Sequence, residues 1–250
     1  MRQRGRSSQR NQFSRLQHNR RQQRLLAVRR RLRTCPILYC RTHILTCHRN
    51  LNSAIVTIAV GPEQRLFAAH EDVLCKSTFF AIQCRQQFFE TNGKRVDLPN
   101  ESPEVFSAIL EYLYKGDYTP KVEFDKKHNS WFLDETPSAT GSSESIVHAA
   151  DGTAILKDTV IYCSAHRYGL VELQRLALKK QGLQSGVQCS TILSSARYAY
   201  ANTPASDSKL RAHYLALIIR SRNTFKRSGT MQMEMERGGT ALFFDLFVAM

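Results

Sequence analysis

A chain of 250 residues with 42% apolar content can bury a core, and it has no apolar run near the ~18 residues that a membrane-spanning helix needs. The formal net charge of +15 is concentrated in one place: residues 1–50 carry 14 Arg and no Lys, Asp or Glu, which leaves 22 basic and 21 acidic residues beyond them. Seven Cys without a framework spacing, and an N-terminus without an apolar signal core, argue against a secreted disulfide scaffold and for a reduced nucleus or cytoplasm.

Residues 1–50 have too few apolar side chains and too much like charge to form a core, so they read as a disordered arm. Arg29, Arg30, Arg31 and Arg33 resemble a nuclear localisation cluster. The same arginines would neutralise phosphates and release counterions, although Phe13 is the only aromatic near the start to stack on a base. An acid-free, Arg-rich start also suits a mitochondrial presequence, and the plainest reading is a solvated tail. Cys35, Cys40, His43, Cys47 and His48 lie close together, but their C-x4-C-x2-H-x3-C-H spacing lacks the tight C-x2-C turn of zinc sites. No metal or other cofactor is expected from them.

From residue 54 to 116, patterning, turns and caps agree with one another. The β-branched AIVTIAV before Gly61-Pro62 predicts a buried strand, and residues 65–69 return as its hairpin partner. His70 follows at a strand-to-helix joint, with Glu71 and Asp72 favouring the positive end of the helix dipole. No nucleophile motif surrounds His70, so it reads as a structural hydrogen-bonding residue. Ser77 is a candidate N-cap for a helix from 78 to about 89, whose Phe80, Cys84 and Phe88 form one buried stripe. Cys75 and Cys84 read as core thiols. Residues 95–98 predict a third strand. Ser102-Pro103-Glu104 opens a helix with cap, N1 proline and acid, a cap worth about 1 kcal/mol, and Lys115-Gly116 closes it.

VTIAVG, LFAAHEDVLCKSTFF and RVDLPNESPEVFSAILEYLYKGDY, in this order, resemble a BTB/POZ domain of the fungal type. VIYCSAHRYGLVELQRLALKK resembles the helix pair that closes such a domain, so the likeness covers residues 53–182 with an insertion at about 119–152. The resemblance implies an α+β BTB/POZ fold: a short mixed sheet packed with helical hairpins, here followed by an all-α C-terminal extension over residues 183–250. It also implies protein partners, homodimerisation and, for many relatives, service as substrate adaptors of cullin-RING ubiquitin ligases. Two positions depart from the family. Ala54 follows Ser53 where relatives carry an acid, and Glu71 stands where they carry its basic companion. The leading dimer helix has no clear counterpart in CRTHILTCHRNLN, and the abrupt change near residue 50 is also what a mistaken gene start would produce.

Cullin-binding relatives carry an apolar-x-Glu motif before the third strand. Phe88, Phe89 and Glu90 stand at that place and are the candidate partner-binding residues. A projecting Phe would anchor a partner helix while the Glu fixes register. The plainer reading has Phe88 finish the core stripe and Glu90 end a solvated helix.

Residues 119–152 read as a flexible polar loop around TPSATGSSES, in which Trp131-Phe132-Leu133 either docks on the domain or meets a partner. Residues 153–168 read as one helix with Leu156, Val160 and Cys163 on one side, and residues 171–180 as its hairpin partner after Gly169. Beyond them, residues 190–201 form a helix. Ser206-Asp207 caps another, in which Leu210, Tyr214 and Leu217 align. Residues 220–227, RSRNTFKR, form a basic cluster that suits an acidic partner or a solvated helix end. ALFFDLFVAM is an apolar helix that either docks on the extension or belongs to a domain longer than this chain. No P-loop, nucleophile elbow, paired carboxylates or regular metal spacing is present, so the expectation is a binding module and not an enzyme. The runner-up function is a nuclear regulator that assembles through the BTB core and binds nucleic acid through its arm.

Overall fold

β1 (Ile55–Val60) is the middle strand of a three-stranded sheet, and its β-branched residues explain why. Val56, Ile58 and Val60 alternate onto one fully buried face. β2 (Arg65–His70) pairs with it antiparallel and β3 (Arg95–Leu98) parallel, giving the order β2-β1-β3. The computed structural model describes residues 53–86, 94–125, 129–134, 145–149, 151–238 and 241–249, all within one unit spanning Asn52–Met250.

Two short helices follow β2: α1 (Glu71–Leu74) and α2 (Thr78–Gln86). Ser77 caps α2 by accepting the Phe80 N–H at 3.3 Å, and its hydroxyl donates to the Tyr168 carbonyl at 2.7 Å. α3 (Pro103–Lys115) begins at the N1 proline and ends at Gly116, whose φ of 79° closes the helix with an N–H bond to the Tyr112 carbonyl. Val105, Phe106, Ile109 and Leu113 are buried beneath the sheet. Ser102 does occupy the N-cap, but its side chain makes no capping bond, so the expected increment of about 1 kcal/mol is not realised.

The stretch read as a polar loop, residues 119–152, holds three strands, and the partner of the third lies just beyond it. β4 (Lys121–Asp125) pairs with β5 (Ser130–Asp134), and β6 (Ile146–His148) with β7 (Ala154–Leu156), both antiparallel. The first hairpin forms because Val122 faces Leu133 and Phe124 faces Trp131, cross-strand pairs concealed among Lys, Glu and Asp. Trp131 docks partway: it stacks near Phe124, and the Lys179 ammonium lies 3.1 Å from its ring centroid. Much of TPSATGSSES lies outside the described residues.

α4 (Lys157–Arg167) starts four residues later than the sequence suggests, because Ala154–Leu156 goes into the second hairpin. It is buried on all sides from Asp158 to Ala165, so a one-sided stripe understates its role as the central helix. α5 (Val171–Leu183) returns against it after Gly169. That glycine has a φ of 69°, and a Cβ there would stand 2.4 Å from the Thr78 hydroxyl. Only glycine allows this approach of the α4–α5 turn to the start of α2.

The rest is helical: α6 (Cys189–Asn202), α7 (Lys209–Arg220), α8 (Arg222–Ser228), α9 (Thr230–Arg237) and α10 (Ala241–Ala249). α7 is not capped by Ser206 or Asp207. Ser208 holds the N-cap position, and both Asp207 carboxylate oxygens accept the Tyr162 hydroxyl at 2.9 Å. Its buried stripe is Leu210, Tyr214 and Ile218, with Leu217 only half-buried. Arg197 fastens α9 to α6 through the Glu234 carboxylate and the Glu234 and Gly238 carbonyls. α10 docks through Leu242, Leu246 and a bond from the Tyr200 hydroxyl to Asp245 at 2.7 Å. Among the described residues no helix is long and apolar enough to cross a membrane.

Two buried polar networks join the segments flanking α3 to α4, the α4–α5 turn and α5. Glu101 accepts Ser164 Oγ at 3.0 Å on one oxygen, and Tyr168 Oη at 2.6 Å and Arg167 Nη2 at 3.1 Å on the other. Lys180, fully buried, donates to the Tyr118 and Pro120 carbonyls and to Asp117.

Candidate protein-interaction site

The strand register sorts the sheet into two faces. Val56, Ile58, Val60, Val96 and Leu98 point into the core. Ile55, Thr57 and Ala59 share the outer face with their partners His70, Ala68 and Leu66 on β2, and with Arg95 and Asp97 on β3. Ile55 and Leu66 remain more than 60% exposed, whereas Arg95 and Asp97 pair at 2.9 Å. The outer face therefore runs from aliphatic at the β2 edge to charged at β3.

His70 closes one end of this face. The Tyr114 hydroxyl accepts the His70 backbone N–H at 3.0 Å and lies 2.7 Å from Nδ1. The one hydroxyl thus holds both the backbone and the ring of His70. The histidine is structural, as its sequence context suggests.

The next residue carries a feature that sequence reasoning missed. Glu71 stands 2.5 Å from Lys94, and both side chains are mostly buried. The Ala54 carbonyl accepts the Glu71 N–H at 2.9 Å, and Ser53 Oγ accepts the Asp72 N–H at 3.3 Å. Glu71 thus gains its cation from the residue before β3. The signal was available in the sheet order, since Lys94 follows from the parallel pairing of β3 to β1, but no local pattern contains it.

α2 presents Ile82 to solvent and buries Phe80 and Cys84. Cys75, half-buried at the end of α1, has its thiol pushed up by a hydrogen bond to Cys84 and by burial, and the same bond draws Cys84 down. The predicted Phe88, Phe89 and Glu90, which follow Gln86 in the sequence, lie outside the described residues. So does the Cys35–His48 cluster. Among the described residues no group of His, Cys, Asp and Glu is arranged to hold a metal ion.

The described chain is thus a short mixed sheet, aliphatic at one solvent-facing edge and charged at the other, packed on helices and continued by more helices. Residues 50–131 match the family model of the BTB/POZ domain, and the chain carries that domain, followed by a helical region. This family is one of protein–protein interaction modules. None of the curated proteins compared with the chain matches it.

Proposed function

We propose that the chain is a substrate adaptor for a cullin-RING ubiquitin ligase, working in the nucleus or cytoplasm. In this reading residues 53–182 form the BTB domain, residues 183–250 its helical extension, and the scaffold is gripped by Phe88, Phe89 and Glu90. One observation supports it above others: in the chain this apolar-x-Glu segment follows α2, whose start Ser77 bolts to the Tyr168 carbonyl at 2.7 Å. The exposed Ile55 and Leu66 favour a second contact on the sheet face, with another copy of the chain as the occupant.

The test is titration of the purified chain with a cullin N-terminal domain. Phe88→Ala and Glu90→Ala are each expected to weaken binding tenfold or more, or about 1.4 kcal/mol, while the far-UV spectrum is unchanged. Undiminished binding by both variants removes the site assignment. No binding by the wild-type chain removes the adaptor role itself.

The 14 Arg of residues 1–50 support a second reading, in which the BTB core assembles a nuclear regulator and the arm binds nucleic acid. Affinity for duplex DNA is then expected to fall steeply with salt and to vanish when residues 1–50 are deleted. Binding that survives the deletion rules this reading out.

A further inference from the structure

The helical region carries a groove of about 760 Å³ that neither the BTB match nor the adaptor reading uses. Ile218, Phe225 and Leu246 form its buried floor. Met231 and Met235 supply walls of the flexible, polarisable kind that adapt to varied apolar side chains. The groove lies along α8 and α9, and α7 and α10 close its base.

Its rim is net cationic, with two cations and one acid. Arg222 and Lys226, one turn apart on α8, stand exposed along one edge, and among the described residues neither has a carboxylate partner. Arg220 and Arg227 add the same sign nearby. The lone acid on the rim, Glu236, accepts Gln232 Nε2 at 3.0 Å. Glu234 is buried and already matched by Arg197 and Arg237. An apolar trough with an unneutralised cationic edge matches a helix with an apolar stripe flanked by Asp or Glu.

We propose that this groove binds an acidic amphipathic helix of a partner protein, with apolar anchors seated on Phe225 and the two methionines and carboxylates paired with Arg222 and Lys226. Because none of residues 88–90 lines the groove, failure of cullin binding leaves this proposal standing, and the converse holds.

The probe is a fluorescein-labelled helical peptide of about four turns, with a Leu stripe flanked by Glu, read by anisotropy against the full chain. A counterpart carrying Lys for Glu is the control. The Glu peptide is expected to bind at least tenfold more tightly than the Lys peptide, and less tightly as salt rises. The double variant Arg222→Glu with Lys226→Glu is expected to reverse that preference. Its two positions are exposed, so the fold should survive, with an unchanged far-UV spectrum as the check. Met235→Asp is expected to weaken the Glu peptide tenfold. Equal binding of both peptides, no binding of either, or indifference to the charge reversal would overturn the proposal. So would a self-associated chain that Met235→Asp returns to monomer without any peptide binding, since the exposed Phe244 and Phe247 of a second copy would then be the occupant.

Discussion

Replacing Glu101 by Ala is expected to destabilise the chain by about 3 kcal/mol and to lower its melting temperature by roughly 6–12 °C. The carboxylate is buried and holds three donors from α4 and the α4–α5 turn. Without it, the Tyr168 and Ser164 hydroxyls lose the acceptor to which they donate, and each buried orphan costs about 1–3 kcal/mol. The Arg167 contribution is smaller, because its side chain is 46% exposed and water replaces the lost partner. Tyr168→Phe should therefore cost more than Arg167→Ala, which should stay below about 1 kcal/mol. Urea unfolding followed by circular dichroism gives all three values. The loss also reaches the candidate interaction surface. The Tyr168 carbonyl holds Ser77, so α2 amides should exchange faster in the Glu101 variant. A Glu101→Ala loss no greater than that of Arg167→Ala would mean that the buried bonds are dispensable.

What the sequence made legible was what local pattern encodes. VTIAV alternates and ends at Gly61, and the SPE start and KG stop bracket α3, so sheet and helix follow from neighbouring residues. α4 was harder for a physical reason. Its Asp158, Thr159 and Ser164 look like a solvent face, yet each is buried against a polar partner far away in the chain: Tyr118, Tyr214 and Glu101. Periodicity cannot register a hydroxyl satisfied by a residue 40 to 63 positions distant. The β4–β5 hairpin was missed because SWFLD has no clean alternation, so the short alternation of KVEFD had no evident partner strand, and the apolar pairs are cross-strand. At the site, Glu71 was read for its effect on the helix dipole. Its ion pair with Lys94 depends on strand order, which is a property of the whole sheet.

The two networks and the groove belong to different levels of the same molecule. Glu101 fixes the mount of α2 to α4 and the α4–α5 turn, which positions the BTB surface. Arg197 and Tyr200 fix α9 and α10 to α6, which positions two groove walls. A change at Glu101 should therefore perturb the first surface and spare the second, a separation that local unfolding in distinct units allows.

Lys180→Met is expected to be the most damaging single replacement, at about 3–5 kcal/mol, whereas Asp158→Asn should stay within about 1 kcal/mol of wild type. The asymmetry follows from what each change leaves behind. The Lys180 ammonium uses all three donors, on the Tyr118 and Pro120 carbonyls and on Asp117, and it lies 3.6 Å from the Tyr118 ring centroid. A thioether supplies none of these bonds, so two carbonyls lose their partner and Asp158 loses the nearby positive charge. Asp158 itself accepts only from Tyr118 Oη at 2.6 Å and Gln184 Nε2 at 3.1 Å. An Asn there keeps the first bond, and a rotated Gln184 amide restores the second without a buried charge. The pH dependence distinguishes the two groups. Burial raises the Asp158 carboxyl above its ordinary range, despite the bonds from Tyr118 and Gln184 and the Lys180 charge. Its contribution to stability is therefore full below the unfolded value of about 3.9 and is lost as pH rises through the higher folded value. Burial lowers Lys180, against the pull of Asp117 and Asp158. Its contribution is present above the unfolded value of about 10.4 and is lost as pH falls through the depressed folded value. Urea midpoints measured across pH should therefore show, in the wild type, an acid-side decline as pH rises above about 3.9, which Asp158→Asn abolishes. The alkaline step should persist in that variant and move to lower pH, because Lys180 has lost a neighbouring negative charge. An acid-side decline unchanged in Asp158→Asn would assign it to another carboxylate and remove Asp158 from this account.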